Sequence, residues 1–261
     1  MQGMSMGRQR GFSLVDLMLS MVLGVFILGG VVSVYVSTVK SSSDTLKSSK
    51  LNTQLLAIMS IMSNDIRRAG YWANFDSDPS INPFNQKNDS ALEVIDSLAA
   101  NTIIASNTNA GGECIVFSYD QNENGVLDAD SEYFGYRLRS GAVQMRVNGT
   151  VSAGDDCSDG VWQDVSDSDL YVITSLTFNP KNSQCVDSSE PNRVDDDGAN
   201  GEDDDAEADC YLHIPASGSN ETTVETREIE ITLAAVLVND SDVSMEITQS
   251  VRVRNDLIRV R

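Results

Sequence analysis

An uncharged run of 23 residues, from Leu17 to Val39, limits most strongly what this chain can form. At about 1.5 Å of rise per residue, a helix of this length crosses a hydrocarbon core of about 30 Å. A cleavable secretory signal has a shorter apolar region followed by a small-residue cleavage site, which the sequence after Gly30 does not offer. The run therefore predicts one membrane-spanning helix.

Basic residues indicate the orientation of this helix. Arg8 and Arg10 precede the apolar run, and positively charged flanks stay on the cytoplasmic side of a membrane. We therefore expect a cytoplasmic N-terminus and an exported chain after Lys40.

The four cysteines agree with export into an oxidising compartment. Their spacing contains no C-x-x-C pair of the kind that binds zinc or catalyses thiol exchange. Three disulfide pairings are open, and we favour neighbours along the chain, Cys114 with Cys157 and Cys185 with Cys210, because each closes one local excursion. Four buried free thiols in a reducing compartment are the alternative.

The charge balance excludes one class of partner. The formal net charge is −21, with 18 basic against 39 acidic side chains, and nucleic acids bind basic clusters that release counterions. Nucleic acid is therefore not expected as a partner. The acidity either attracts divalent cations or keeps the surface soluble.

Beyond the apolar run, the sequence predicts a helix that continues and then a sheet. Apolar residues recur at three- and four-residue steps from Leu51 to Ile66, and Gly70 is a helix terminator, so one helix is expected from Val15 to Ala69. Its apolar stripe is expected to pack on the protein's own sheet, with a coiled-coil partner as the alternative. Residues 71–108 are rich in Asn, Asp, Pro and Ser and indicate irregular structure.

The rest of the chain alternates strand-like runs with polar turns, as in an antiparallel sheet. The predicted strands are Cys114–Tyr119, Glu132–Leu138, Ala142–Val147, Tyr171–Phe178, Glu228–Val238 and Met245–Arg254.

One carboxylate, Asp16, stands at the start of the apolar segment, where an unpaired charge is costly. The residues around it, GFSLVDL from Gly11 to Leu17, resemble the processing site of type IV pilins. The resemblance implies that prepilin peptidase cleaves after Gly11 and that the new N-terminal Phe12 is methylated. It also implies that Asp16, which stands where this family nearly always has Glu, pairs with the N-terminal amine of a neighbouring subunit in a filament.

A second resemblance is more specific. The segments NDIRRAGYW, CIVFSYDQNENGVLDADSEYFGYRL and VRVRN are similar to the PilW group of minor pilins. This implies an α+β type IV pilin fold, in which a long N-terminal helix packs on an antiparallel sheet. The implied parts are a cleaved leader (1–11), a transmembrane and filament-core helix (12–39), an amphipathic continuation (40–70) and a β-rich head with two disulfide-tied loops (71–261).

The same resemblance implies a function in assembly. We expect a non-enzymatic minor pilin that primes type IV pilus assembly and lies at or near the tip of the pilus. Its partners would be other minor pilins, the major pilin, prepilin peptidase and the inner-membrane assembly platform. A J-type minor pseudopilin of a type II secretion system and a calcium-dependent adhesin are the alternatives.

The stretch DQNENGVLDADSE is similar to the start of an EF-hand loop. No cofactor is expected to be required, but the pattern is that of a calcium site. The ligands would be Asp120, Asn122, Asn124, the carbonyl of Val126, and Asp128, completed by Glu132 or Asp130. An ordinary Asn-Gly hairpin turn is the alternative.

Two other features are expected to be structural. Nine acidic residues lie between Asp195 and Asp209; we favour a solvated loop tied at its base by Cys185 and Cys210 over a second calcium site. His213, the only histidine, has no catalytic partner pattern around it, and the familiar hydrolase, P-loop and dinucleotide-binding fingerprints are absent from the sequence.

Overall fold

The computed structural model describes residues 11, 13–128, 130–149, 156–199 and 201–261. One long helix, α1, extends from Leu14 to Ile66. The chain divides into two compact units between Ser49 and Lys50, so α1 contributes its first part to one unit and its second part to the other.

In the first unit, the apolar side chains of α1 are exposed. Leu19, Phe26 and Ile27 keep 60%, 75% and 67% of their surface accessible. Among the described residues, α1 is the one helix that is long and apolar enough to cross a membrane. Water does not tolerate such a surface on a monomer, so this half of the helix requires lipid or protein around it.

The second unit combines the end of α1 with three antiparallel sheets. The largest sheet has the order β2-β1-β3-β4-β5-β6, and two three-stranded sheets have the orders β11-β10-β7 and β12-β9-β8. The strands are β1 (Glu93–Ile95), β2 (Ile103–Ile104), β3 (Cys114–Ser118), β4 (Tyr133–Arg139), β5 (Ala142–Asn148), β6 (Val161–Asp164), β7 (Tyr171–Asn179), β8 (Gln184–Asp187), β9 (Thr222–Thr226), β10 (Glu228–Leu237), β11 (Asp240–Arg252) and β12 (Leu257–Val260).

The core lies between α1 and the inner faces of the first two sheets. Strand β10 alternates inward apolar residues such as Ile231 and Leu233 with outward polar ones, as the period of two in a strand requires. On the helix, the buried residues recur at three- and four-residue steps. The helical part of the core consists of Leu51, Leu55, Ile58, Met59, Met62 and Ile66.

This architecture confirms the predicted α+β class and is consistent with a type IV pilin-like fold. The region 71–108, predicted to be irregular, also contains β1 and β2 and two short 3₁₀ turns, Pro79–Ile81 and Pro83–Asn85. Strand β1 forms because Val94 and Ile95 are buried and pair with β3, a tertiary contact that local composition does not reveal. Strand β11 begins five residues before the predicted strand, since it pairs with β10 as far as Asp240.

Candidate functional site

The end of α1 is capped by backbone and side chains from the C-terminal part of the chain. The Arg254 N–H donates to the Arg67 carbonyl at 3.1 Å, and the Asn255 amide donates to the Ala69 carbonyl at 3.0 Å. These donors satisfy carbonyls that a helix end leaves without partners. Gly70 follows with φ of +72°, the left-handed conformation in which glycine commonly ends a helix.

The three residues after Gly70 run beside the end of β3 and the loop that follows it. The Asp120 N–H donates to the Tyr71 carbonyl at 2.9 Å, and the Trp72 indole N–H donates to the Gly125 carbonyl at 2.9 Å. In return, the Ala73 N–H donates to Asp120 Oδ2 at 3.1 Å. The exit from the helix and the loop from Asp120 to Glu132, called here the Asp120 loop, therefore form one hydrogen-bonded junction.

Asp120 holds its own loop as well as the helix exit. Its carboxylate is 1% exposed, and it accepts N–H bonds from Asn124 at 3.1 Å and Gly125 at 2.9 Å. Gly125 has φ of +77°, and a Cβ at this position would lie 2.4 Å from the amide nitrogen of Asn74. Only glycine therefore fits where the loop approaches the chain after the helix.

Glu132 closes the other end of the Asp120 loop. It is fully buried, and its Oε1 accepts the Gln121 N–H at 2.8 Å while its Oε2 accepts the Asp128 N–H at 2.8 Å. A carboxylate that accepts backbone N–H groups from both limbs of a loop sets the distance between the limbs. The loop is thus held between two buried acids.

The remaining polar side chains of this loop meet on its outside. The amide nitrogens of Asn122 and Asn124 both donate to Asp128 Oδ2, at 2.8 and 3.2 Å. The side chain of Val126 is exposed, and its N–H donates to Asn124 Oδ1 at 2.7 Å. Asp130 is exposed.

The structure thus divides the predicted ligand set into two groups. Asp120 and Glu132 face inward and hold backbone N–H groups, whereas Asn122, Asn124 and Asp128 converge on the surface. All the side-chain oxygens are hard donors of the type that Ca²⁺ takes. Asp120 Oδ1 and Glu132 Oε2 each accept one backbone N–H and retain a second lone pair, so these two oxygens are compatible with a cation.

The acidic loop after β8 uses the same device, which the sequence reading missed. Glu207 is 1% exposed, and its Oε1 accepts N–H bonds from Asp196 and Asp197 while its Oε2 accepts one from Asp204. Asp195, Asp197 and Glu207 have the same spacing as Asp120, Asn122 and Glu132. That repeated spacing is the signal from which the buried glutamate could have been found.

In the described part of the chain, two groups of three carboxylates bring an oxygen from each member within 4.8 Å of the others. They are Glu190, Asp196 and Glu221, and Asp195, Asp197 and Glu207. Burial raises the pKa of Glu190, and the nearby Asp196 adds to the shift. The Asp120 loop contributes to neither group.

Both disulfides are present, and each joins cysteines that are neighbours along the chain. Cys114 on β3 is bonded to Cys157, and Cys185 on β8 is bonded to Cys210. The second disulfide brings together the two ends of the acidic segment.

The N-terminal site residues belong to the first unit and are described by themselves. Asp16 Oδ2 accepts the Ser13 N–H at 3.2 Å, and Ser13 Oγ accepts the Val15 N–H at 3.3 Å. This reciprocal pair is similar to a capping box and begins α1, a role for Asp16 that the sequence reading did not consider. Gly11 is exposed, and Phe12 lies outside the described residues.

Comparison with known proteins identifies one family. The family model described as PpdB, prepilin peptidase-dependent protein B, matches residues 44–253. The match covers most of the chain and does not include the segment from Gly11 to Asp16, so it is independent of the processing motif. No curated protein and no solved structure matches the chain significantly.

Proposed function

Since the chain belongs to the prepilin peptidase-dependent protein B family, we propose that it is a minor pilin that helps to initiate type IV pilus assembly and lies at the pilus tip. The observation that carries this proposal is the exposed apolar half of α1, which begins with a single carboxylate. Such a helix can reside in a membrane and then exchange lipid contacts for contacts with the helices of other subunits. The family and the fold favour a structural protein over an enzyme.

Processing by prepilin peptidase follows from the family and from GFSLVD at the start of α1. Cleavage after Gly11 would leave Phe12 as a methylated N-terminal residue and Asp16 as the fifth residue of the mature chain. In a dry helix bundle an unpaired carboxylate is strongly disfavoured, whereas one paired with a neighbour's N-terminal ammonium is stabilised. Asp16 would thus select the axial position at which subunits dock.

The side chain of Asp16 is one methylene group shorter than that of the Glu usual in this family, so it stays closer to its own helix. Its carboxylate already accepts the Ser13 N–H within its own helix. A carboxylate has lone pairs for both the local N–H and a neighbouring ammonium. We therefore propose that Asp16 starts the helix and marks the docking position with the same side chain.

The cellular route follows from this assignment. The chain would first sit in the inner membrane with its N-terminus in the cytoplasm, where prepilin peptidase and the assembly platform act on it. It would then join companion minor pilins in a complex on which the major pilin assembles. The PilW-like character of this role rests on the helix-exit sequence RRAGYW, whose residues connect α1 to the Asp120 loop.

Gly11→Ala tests the proposal in the native host. The variant should accumulate as an unprocessed precursor in the membrane fraction and be lost from sheared pili. Gly24→Ala is the matched control, because it leaves the cleavage motif intact and a Cβ there meets no atom of its own chain within 4 Å; it should be processed like the wild type. Normal incorporation of an uncleaved Gly11→Ala chain would overturn the assignment.

Calcium binding by the Asp120 loop is a second proposal, favoured by the convergence of Asn122, Asn124 and Asp128. Rotation of the two amides would place their oxygens where their nitrogens now meet Asp128, at the cost of the N–H bonds that these oxygens now accept from Asn124 and Val126. Calcium should raise the midpoint of thermal unfolding relative to EGTA, and Asp128→Ala should abolish that increase while Asp164→Ala should not. An equal response of all three chains would exclude a site in this loop.

A calcium-dependent adhesin is tested on the same variants. Loss of surface attachment by Asp128→Ala with normal pilus number would support an adhesive head. Loss of the pili themselves would make the loop a folding element instead.

A further inference from the structure

A cavity of about 220 Å³ lies within the second unit, and none of its lining residues belongs to the Asp120 loop. Four parts of the chain form it: residues 87–93, which end at the start of β1; residues 103–107, which contain β2; residues 210–214; and the sheet β12-β9-β8. An apolar cavity of about 150 Å³ is large enough to admit benzene. This cavity is therefore large enough for a small organic molecule.

The disulfide between Cys185 and Cys210 forms part of the wall. Both cysteines line the cavity, and so do Tyr211 and Ile214, which follow Cys210 in the chain. A covalent link at this point holds the 210–214 segment beside the sheet. The disulfide therefore fixes the loop that forms this side of the cavity.

Cations are concentrated at this cavity, although the whole chain carries a net charge of −21. Lys87, Arg259 and Arg261 line it, together with the carboxylates of Glu93 and Glu225. The Arg259 guanidinium is bonded to Glu225 at 2.9 Å, so this pair is nearly neutral.

A further cation lies behind the wall. Arg227 is 2% exposed and donates to the Leu92 carbonyl and to Asn85 Oδ1. Burial lowers the pKa of Arg227, Glu225 opposes this change, and the positive charge of Arg259 adds to it. Glu225 thus compensates part of the positive charge of the two arginines.

Two guanidinium groups on the wall retain donors that nothing in the described chain accepts. The Nε atoms of Arg259 and Arg261 are buried and have no hydrogen-bond partner among the described residues. Leaving such a donor unsatisfied costs about 1–3 kcal/mol. Because guanidinium groups match the geometry of a carboxylate, the two arginines that line the cavity favour an anionic oxygen ligand.

The rest of the lining defines the body of the ligand. Ile103, Ile214 and Leu257 contribute apolar surface to the same space. A fully hydrated inorganic ion would gain nothing from this surface, whereas a carboxylate attached to a few carbon atoms would bury apolar area against it.

We propose that this cavity binds a small organic carboxylate, with its anionic group against Arg259 and Arg261 and its apolar part against Ile103 and Ile214. The site is separate from the assembly role proposed above and does not depend on it. It assigns to the head a ligand-binding function of its own.

Isoleucine-methyl NMR of the full chain in detergent micelles tests the site directly, because three isoleucines line the cavity. The probe is isobutyrate, and isobutyramide is its neutral control of the same shape. Isobutyrate should shift the δ1-methyl signals of Ile103, Ile104 and Ile214 in a saturable manner. Isobutyramide should bind at least tenfold more weakly.

Matched variants separate the cavity from the general surface. Arg259→Gln should weaken isobutyrate binding at least fivefold, whereas Arg252→Gln, at an exposed position on β11, should leave it unchanged. If Arg259→Gln does not fold, Ile214→Trp provides the test, because Ile214 lines the cavity and its partly exposed position has room for a larger ring that narrows the cavity without removing a charge. Ile214→Trp should abolish the shift at Ile103.

Two results would overturn the proposal. The first is equal binding of isobutyrate and isobutyramide, which would show an apolar cavity with no preference for an anion. The second is the absence of any saturable shift at the three isoleucines, or a shift that persists in Ile214→Trp.

Discussion

The two parts of α1 differ in what covers their apolar residues. Leu28, in the first unit, keeps 64% of its surface exposed, whereas Leu55, in the second unit, is fully buried. Both belong to one continuous helix, whose first part is apolar all round and whose second part carries an apolar stripe between polar residues. The second part buries its apolar stripe in the core of its own unit, whereas the first part needs a covering that the described chain does not supply.

The largest difference in stability is expected between two matched leucine variants, one in each part of α1. Leu55→Ala should lower the free energy of unfolding of the second unit by about 2–5 kcal/mol, because it leaves a cavity in a packed core. Leu28→Ala should not change it. Denaturant unfolding of the micelle-embedded chain reports on the second unit alone, since both tryptophans, Trp72 and Trp162, lie there. Equal destabilisation by the two variants would show that the difference in burial between Leu28 and Leu55 does not determine the stability of the second unit.

The junction after the helix should contribute the next largest effect. Glu132→Gln replaces one of two acceptor oxygens with a donor that faces a backbone N–H, so stability should fall by about 2 kcal/mol. Asp130→Asn is the control, because Asp130 is exposed. If the two variants unfold at the same denaturant concentration, Glu132 does not hold the loop.

Alkaline pH should destabilise the second unit through the tyrosines beneath α1. Burial, together with the charge of Asp65, raises the pKa of Tyr119 to about 12, and the same two causes raise the pKa of Tyr136. The neutral phenols make their full contribution to the free energy of unfolding below the ordinary tyrosine pKa near 10. This contribution is lost as the pH rises from there through the pKa of the folded state. Each tyrosine should therefore remove about 1.4 kcal/mol per pH unit above pH 10.

Urea unfolding at a series of pH values between 8 and 11.5 checks this slope. In Tyr136→Phe, which cannot ionise at this position, the loss above pH 10 should be smaller than in the wild type by the contribution of one tyrosine, because burial also raises the pKa values of Tyr171 and Tyr211 and these continue to contribute. A stability that is constant through pH 11.5 would show that the two phenols ionise as freely in the folded chain as in the unfolded one.

The smallest effect should come from the exposed end of the helix. The Arg68 guanidinium lies 4.4 Å from the centre of the Tyr119 ring, and such a contact at an exposed site contributes about 0.5–1 kcal/mol. Arg68→Ala should lower stability by this amount in the same unfolding measurement. Arg254→Ala, also at an exposed position, should leave it unchanged; a larger loss in the control would assign the effect to net charge.

The sequence predicted the elements with a strong repeat. The apolar spacing from Leu51 to Ile66 and the alternation in β10 each bury one face, so local pattern and tertiary structure agree. Strands β8 and β9 read QCVD and TTVET and are too short and polar for a pattern to form. They exist because they pair with one another, which only the folded chain shows.

The candidate sites were predictable to different degrees. The spacing of Asp120, Asn122 and Asn124 indicated a loop built from oxygen donors, but the inward direction of Asp120 and Glu132 depends on N–H groups that folding brings near them. The carboxylate cavity could not be predicted, because its walls come from segments more than a hundred residues apart and from a disulfide.

The proposal that this chain is a minor pilin is best tested by deletion of the gene in its native host. Surface pili and secreted proteins are then measured side by side. We expect the deletion to abolish pili while secretion continues. We also expect the wild-type gene and Asp16→Glu to restore pili, whereas Asp16→Ala should not. Loss of secretion with normal pili would contradict the proposal, because the exposed half of α1 would then assemble into the secretion machine instead of the pilus.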